Sequence, residues 1–493
     1  MEPIQLPKLR KIDPNKKKKK KILLLSDDLR MHSGIGTMSK EFVMGTLHKY
    51  DWVQLGAAVK HPDHGKIVDI SEDAAKESGV KDAYLKIYPH TGYGNPAVLN
   101  EIRNIEKPDA ILHFTDPRFW GWLYNIEHEI RQHIPIMYYN IWDDLPYPHW
   151  NRPFYESCDL IMNISRQTNN IVKNVLKDHP KEDWAVQWVP HGVNRNKFYP
   201  ITPLDKEWEE FNAFQSNFKQ VNNVDFVIFW NNRNIRRKQP ADLILAYKTF
   251  CDSLTKEQAQ KCCLLMHTQL VDNNGTDLPA VKKALCPDYK ILFSGKAVDT
   301  KQMNYFYNLA DLTVNIASNE GFGISWCESL HTGTPIVNNV TGGLQDGCRF
   351  EDENGDWIEF STDFPTNHDG TYKEHGAWTK PVFPSNRSIQ GSPMTPYIFD
   401  DRCDFRDVAE AIKYWYDMPK EEREHFGELG QSWVLGDDGV RNSGDEANMS
   451  AKGMSDVMAK CIEDCFINWT PRKRFTLFKI KQQPKIEKPG VIT

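Results

Sequence analysis

The sequence predicts an α/β protein made of two doubly wound parallel sheets, and three observations carry this. Short apolar runs that read as buried strands alternate with helical stretches along most of the chain. Several of these runs lead through glycine-bearing turns into a helix, the order found in nucleotide-binding α/β units. With 493 residues the chain exceeds one ordinary core and suits two or three domains.

Composition narrows the class. Hydrophobic residues make up 40% and charged residues 26%. No apolar run approaches the ~20 residues of a membrane span, and Ile22 to Leu25 is too short for a signal-peptide core. The 10 cysteines show neither metal-ligand spacing nor a disulfide framework, so a reducing cytoplasm is expected. A net charge of −6 argues against a general polyanion binder. The ends are basic, however: Lys16 to Lys21 is an unbroken lysine run, and the tail from Arg472 carries several more cations. Such ends are either disordered and solubilising, or dock electrostatically on an anionic acceptor, lipid or nucleic acid, which would make the protein peripheral at a membrane surface.

In chain order, Lys21–Ser26 is the first buried strand, followed by a loop, Met31 to Thr37, that carries Gly34 and Gly36, and a helix over Met38–His48. Gly-x-Gly alone is a weak signal, because any tight strand-to-helix turn uses glycine. Further strands are expected at Trp52–Val59, Ala110–Phe114, Ile134–Asn140 and Leu160–Ile164, with Ser165 capping a helix over Arg166–Leu176. In such a sheet ligands sit at the carboxyl ends of strands, so the loops after Ser26, Phe114 and Asn140 line the cleft. The last of these, Ile141 to Trp150, combines aromatic rings with Asp143 and Asp144 and suits sugar or base recognition.

The second half opens with a strand over Asp225–Trp230 and a basic loop holding Arg233, Arg236, Arg237 and Lys238, before a helix that begins near Pro240. Strands at Cys262–His267 and Lys290–Phe293 and a helix at Lys301–Leu309 lead to the most informative stretch, Asp311 to Gly343. There, Leu312–Ala317 is a strand, and Glu320 follows in a loop with Gly321, Phe322 and Gly323. Glu328 lies in the next helix, and a strand over Pro335–Asn338 precedes the turn Thr341-Gly342-Gly343. One carboxylate at the loop and one in the first helical turns can grip two hydroxyl-bearing parts of one ligand, while the amides at the helix start can receive an anion. C-terminal helices are expected at Arg406–Tyr416 and Met449–Phe466.

Glu320 and Glu328 with seven residues between them, the Glu-Gly-Phe-Gly segment, the strand Gly-Thr-Pro-Ile-Val and the Thr-Gly-Gly turn together resemble the retaining GT-B glycosyltransferases, especially family 4. The passage Trp188 to Asn194, with Phe198 and Pro200, resembles that family's interdomain segment, with His191 where an Asn is commoner. The resemblance implies the GT-B architecture, two Rossmann-like domains facing a cleft: a basic leader over 1–20, an acceptor domain over 21–195 and a donor domain over 196–445 with an insertion near 349–401. A helix over 446–470 would cross back onto the first domain, and 471–493 would be a basic tail. It implies no cofactor and no metal, but a nucleotide-sugar co-substrate, a UDP- or GDP-sugar. Arg233 and Lys238 match the family's Arg-x4-Lys pair on the diphosphate; Glu320 with Gly321 to Gly323 would hold the sugar, and Glu328 the ribose. Gly34 and Gly36 would close from the opposite domain. The family's sugar-contacting His near Asn140 is missing; Asp143 and Asp144 are the nearest candidates for its place, and Asp143 is taken as a sugar or acceptor contact. Two other classes stay open: a nucleotide-sugar epimerase on the same fold, and a non-catalytic binding protein that uses its basic ends.

Overall fold

The computed structural model describes residues 18–358, 372–436 and 448–473. The basic leader before residue 18, part of the expected insertion and the basic tail after residue 473 lie outside them.

The first sheet contains β1 (Lys20–Asp27), β2 (Tyr50–Ala58), β3 (Val68–Asp69), β4 (Leu85–Thr91), β5 (Ala110–His113), β6 (Ile136–Asn140), β7 (Leu160–Asn163) and β8 (Val186–Trp188). Their order is β3-β4-β2-β1-β5-β6-β7-β8, parallel except for the short antiparallel β3–β4 pair. Ile22 to Leu25 of β1 are fully buried, which is why that strand reads as a continuous apolar run: helices cover both faces of the sheet. The order reverses between β1 and β5, so a crevice opens beyond the carboxyl ends of those two strands.

The second sheet repeats the plan. It contains β9 (Phe226–Asn231), β10 (Cys262–His267), β11 (Ile291–Ser294), β12 (Leu312–Asn315), β13 (Ile336–Asn339) and β14 (Thr379–Val382), in the order β11-β10-β9-β12-β13-β14. All its pairings are parallel. Its switch point lies between β9 and β12, the two strands that carry the basic loop and Glu320.

The structure departs from the sequence reading at several elements. The helix after β1 starts at Gly34 instead of Met38, because the Ser33 side chain accepts from the Gly36 amide and caps it there. β4 and the helices Trp208–Asn222 and Lys420–Leu435 were not anticipated. Finally, within the segment 349–401 a strand that the sequence reading did not anticipate, β14, pairs with β13 and completes the sheet. Pro381 masks it in the sequence; proline is tolerated there because β14 is an edge strand. After β14 an antiparallel hairpin, β15 (Asn386–Ser392) and β16 (Thr395–Arg402), reaches the first unit. The Phe399 amide donates to the Leu145 carbonyl at 2.7 Å, and the Tyr397 hydroxyl donates to the Tyr147 carbonyl at 3.1 Å.

The last helix, Ala451–Asn468, packs on the helix Gly34–Thr46 of the first unit. The Tyr50 hydroxyl donates to the Ala459 carbonyl at 3.1 Å, and Val193 bridges to Ser450. The two helices touch at Gly45, where an added Cβ would stand 2.1 Å from Ser455 Oγ and 2.7 Å from its Cβ. Gly45→Leu is therefore expected to destabilise the protein by about 1–3 kcal/mol through overpacking, read as a lowered thermal midpoint; an unchanged midpoint would show that this helix contact is not tight.

Candidate active site

The site forms where the two switch points face each other. On the second unit, β9 ends in a 3-10 turn over Arg236–Lys238, followed by Gln239 in a left-handed conformation (φ +55°) and by Pro240 at the first turn of the next helix. This tight reversal buries Lys238 and turns its ammonium onto the Glu320 carboxylate. Arg237 joins the pair: its Nη1 donates to Glu320 Oε2 at 2.9 Å and to the Asn319 carbonyl at 2.8 Å. Burial alone would raise the Glu320 pKa, but Lys238 and Arg237 overcome it and hold the carboxylate below its ordinary value, firmly ionised.

Asp143, from the loop after β6 of the first unit, lies 3.9 Å from Arg237 Nη1. Burial raises its pKa, opposed by Arg237, while the charge of Glu320 adds to the rise. The cluster thus holds two carboxylates and two cations contributed by both units. It is kept tight by the Thr-Gly-Gly turn. Gly342 adopts φ +49°, and a Cβ there would meet the Glu320 carbonyl at 2.2 Å and the Asp143 carbonyl at 2.7 Å. The Gly343 amide donates to the Glu320 carbonyl at 2.7 Å.

Glu328 lies in the helix Ile324–His331, which starts at the left-handed Gly323 (φ +82°). It accepts from the Tyr307 hydroxyl at 2.6 Å and faces Asn231 Nδ2 at 3.5 Å. It lines a cavity of about 210 Å³ between the units. Thr37, Met38 and Glu41 form the first-unit wall, and Asp299 and Met303 face them. Burial raises the Glu328 pKa to about 7, with Tyr307 and Asn231 partly opposing the shift.

The sequence-selected residues are therefore brought together in part. Lys238, Glu320, Gly321 and Asp143 meet directly; a Cβ on Gly321 would stand 3.2 Å from Asp143 Oδ1. Gly34 and Gly36 lie in the first turn of the helix whose Thr37, Met38 and Glu41 wall the Glu328 cavity. Arg233 stands apart: it is 61% exposed and pairs with Asp272 at 3.0 Å. Arg237, which the Arg-x4-Lys spacing does not select, occupies the place beside Glu320. Phe322 is 2% exposed and packs on Trp326 and His191, so its ring belongs to the core beneath the site. His191 is hydrogen-bonded to the Tyr139 hydroxyl at 2.9 Å, and burial lowers its pKa to about 3, in keeping with a neutral hinge contact. Arg237 was the hardest residue to select from sequence, because in Arg-Arg-Lys only the three-dimensional turn decides which side chain points inward.

The Glu328 shift has a consequence for stability. A carboxyl whose folded pKa lies above its unfolded value binds more protons when folded, so its contribution falls as pH rises from about 4.5 towards about 7 and is flat beyond. Glu328→Gln is expected to remove that loss and raise the thermal midpoint of the unliganded protein at pH 8 but not at pH 4.5; an equal shift at both pH values would show that Glu328 is not desolvated.

No protein-family model matches the chain. The mannosylfructose-phosphate synthase of Agrobacterium fabrum is 24% identical over 195 residues, 38% of this chain and 39% of that protein, so the match spans well under half of each. In the solved structure of Anabaena HepE in complex with UDP and glucose the likeness covers 90% of this chain and all of that one, at 11% identity and a TM-score of 0.60. The sucrose-phosphate synthase of Thermosynechococcus elongatus is similar over 91% of this chain and all of its own, at 12% identity and a TM-score of 0.59. These similarities, with the two facing parallel sheets, show that the chain has the GT-B fold of two Rossmann-like units.

Proposed function

We propose that the protein is a retaining glycosyltransferase that moves a sugar from a UDP- or GDP-sugar to a glycan, lipid or modified nucleic acid. The observation that carries the reading is the ion-paired Glu320–Lys238–Arg237 cluster at the second switch point, with Glu328 of the following helix lining a cavity between the units. HepE, of the same fold, is solved with UDP and glucose, which supports a nucleotide-sugar ligand.

The geometry suits the chemistry. A nucleoside fits the cavity between the units, with its ribose hydroxyls donating to Glu328. The diphosphate then lies against Lys238 and Arg237 and the amides that open the helix at Ile324. Arg233 has the family spacing and would join only by leaving Asp272. Glu320 and the amides after it receive the sugar hydroxyls, with Asp143 on the opposite side. In the metal-independent front-face step, the bond from the anomeric carbon to the diphosphate oxygen breaks. Charge grows on that oxygen, where fixed cations stabilise it most. The acceptor oxygen bonds to the same face of the carbon, and its proton passes to the departing phosphate. Closure of the units excludes water that would hydrolyse the donor. A cytoplasmic location fits this chemistry, and among the described residues no helix is long and apolar enough to cross a membrane.

Thermal unfolding against UDP, GDP, ADP, TDP and CMP tests the reading. A nucleotide at ~100 times its dissociation constant stabilises by about 2.7 kcal/mol, and UDP or GDP is expected to do so. Lys238→Ala is expected to abolish the response, and Glu320→Gln to lower transfer by roughly 10²- to 10³-fold while keeping it. A flat response to all five nucleotides would refute the assignment.

A further inference from the structure

The switch point of the first sheet carries a surface that donor binding does not use. Asp27 ends β1, and Phe119 follows β5 in the turn Pro117–Trp120; these are the two strands between which the order reverses. Tyr93 follows β4, between Gly92 and Gly94, whose left-handed backbone (φ +75° and +73°) projects the ring from a tight turn. The Tyr93 and Phe119 rings stack at 4.7 Å with an interplanar angle of 13°. Phe119 is nevertheless 51% exposed, so an aromatic face is open at the place where doubly wound sheets bind ligands.

Asp27 stands beside this stack. Its Oδ1 faces the Tyr93 hydroxyl at 3.5 Å, and its Oδ2 accepts from Ser33 Oγ at 3.2 Å. The carboxylates around it are matched with cations: Asp28 with Arg30 and Asp116 with Arg118. Asp27 has no ion-pair partner among the described residues, and burial raises its pKa. A half-buried carboxylate without a cation has acceptor capacity to spare for hydroxyl donors. A chain of contacts links the surface to the donor cluster: Arg118, next to Phe119 and paired with Asp116, lies over the Trp142 ring at 5.9 Å, and the following residue, Asp143, lies 3.9 Å from Arg237 Nη1.

We propose that this surface binds the acceptor and that the acceptor is a neutral saccharide, with the C–H face of its ring on Phe119 and its hydroxyls donating to Asp27. The proposal rests on the glycosyltransferase reading and names its second substrate. An acceptor carrying phosphate or carboxylate there would meet Asp27, Asp116 and Asp143. The nearby cations are engaged elsewhere: Arg118 binds Asp116 and the Thr395 hydroxyl of the hairpin, and Arg30 binds Asp28 and Asp63.

Saturation-transfer NMR on the full chain in the presence of UDP tests this. The probes are glucose, galactose, mannose, fructose and maltose against glucose 6-phosphate and glucuronate. At least one neutral sugar is expected to bind, with the charged ones weaker. Its affinity is expected to fall at least about fivefold in Asp27→Asn and in Phe119→Ala, the loss of one ordinary contact. Both variants are expected to keep the thermal response to UDP, which also reports that they fold. Preference for the charged sugars, no binding of any neutral sugar, or undiminished binding in both variants would overturn the proposal while leaving the donor site standing. Absence of a UDP response in the unaltered protein would overturn the donor reading itself, and this proposal with it.

Discussion

A carboxylate removed from water needs charge and hydrogen bonds in return, and Glu320 sets this requirement for the centre of the molecule. Lys238 and Arg237 meet it, and they can do so only because a 3-10 turn and the left-handed Gln239 reverse the chain after β9. The Thr-Gly-Gly turn meets the backbone side of the same loop and presses it against the Asp143 carbonyl of the other unit. One buried charge therefore ties together two strands of the second sheet, the turn after β13 and a loop of the first sheet. Glu320 thereby fixes two cations in place, and in the proposed transfer these would face the charge that grows on a leaving diphosphate.

The two units face each other with unequal chemistry. The second switch point gathers the cations, and Glu328 nearby lines a cavity of about 210 Å³ between the units. The first gathers Asp27, which has no ion-pair partner among the described residues, aromatic faces and the glycine-started helix. The hairpin of β15 and β16 belongs to the second unit yet binds the loop after β6 and Arg118, so it closes one side of the cleft. The C-terminal helix binds the units together at another side through Tyr50 and the Val193–Ser450 bridge. Separation of the units would have to break both contacts.

Much of this was legible in the sequence because parallel strands buried on both faces write themselves as unbroken apolar runs, as at Ile22–Leu25 and Cys262–Met266. Ser165 was readable as a cap, and it does accept from the Thr168 amide. Glu320 and Glu328 stood out because glycines and a helix start surround them at fixed spacing. Other features were silent. β14 carries a proline that its edge position excuses. β4 alternates between buried and half-exposed residues without a strong apolar run. The inward turn of Arg237, in place of Arg233, depends on a contact with Asn319, 82 residues away, which no local pattern encodes.

The most direct test of the account is a crystal structure of the protein with the nucleoside diphosphate that stabilises it best. The account predicts the ribose hydroxyls on Glu328 in the cavity between the units, and phosphate oxygens within about 3 Å of Lys238 Nζ and the Arg237 guanidinium. A nucleotide bound elsewhere, with Lys238 and Arg237 left solely on Glu320, would contradict it.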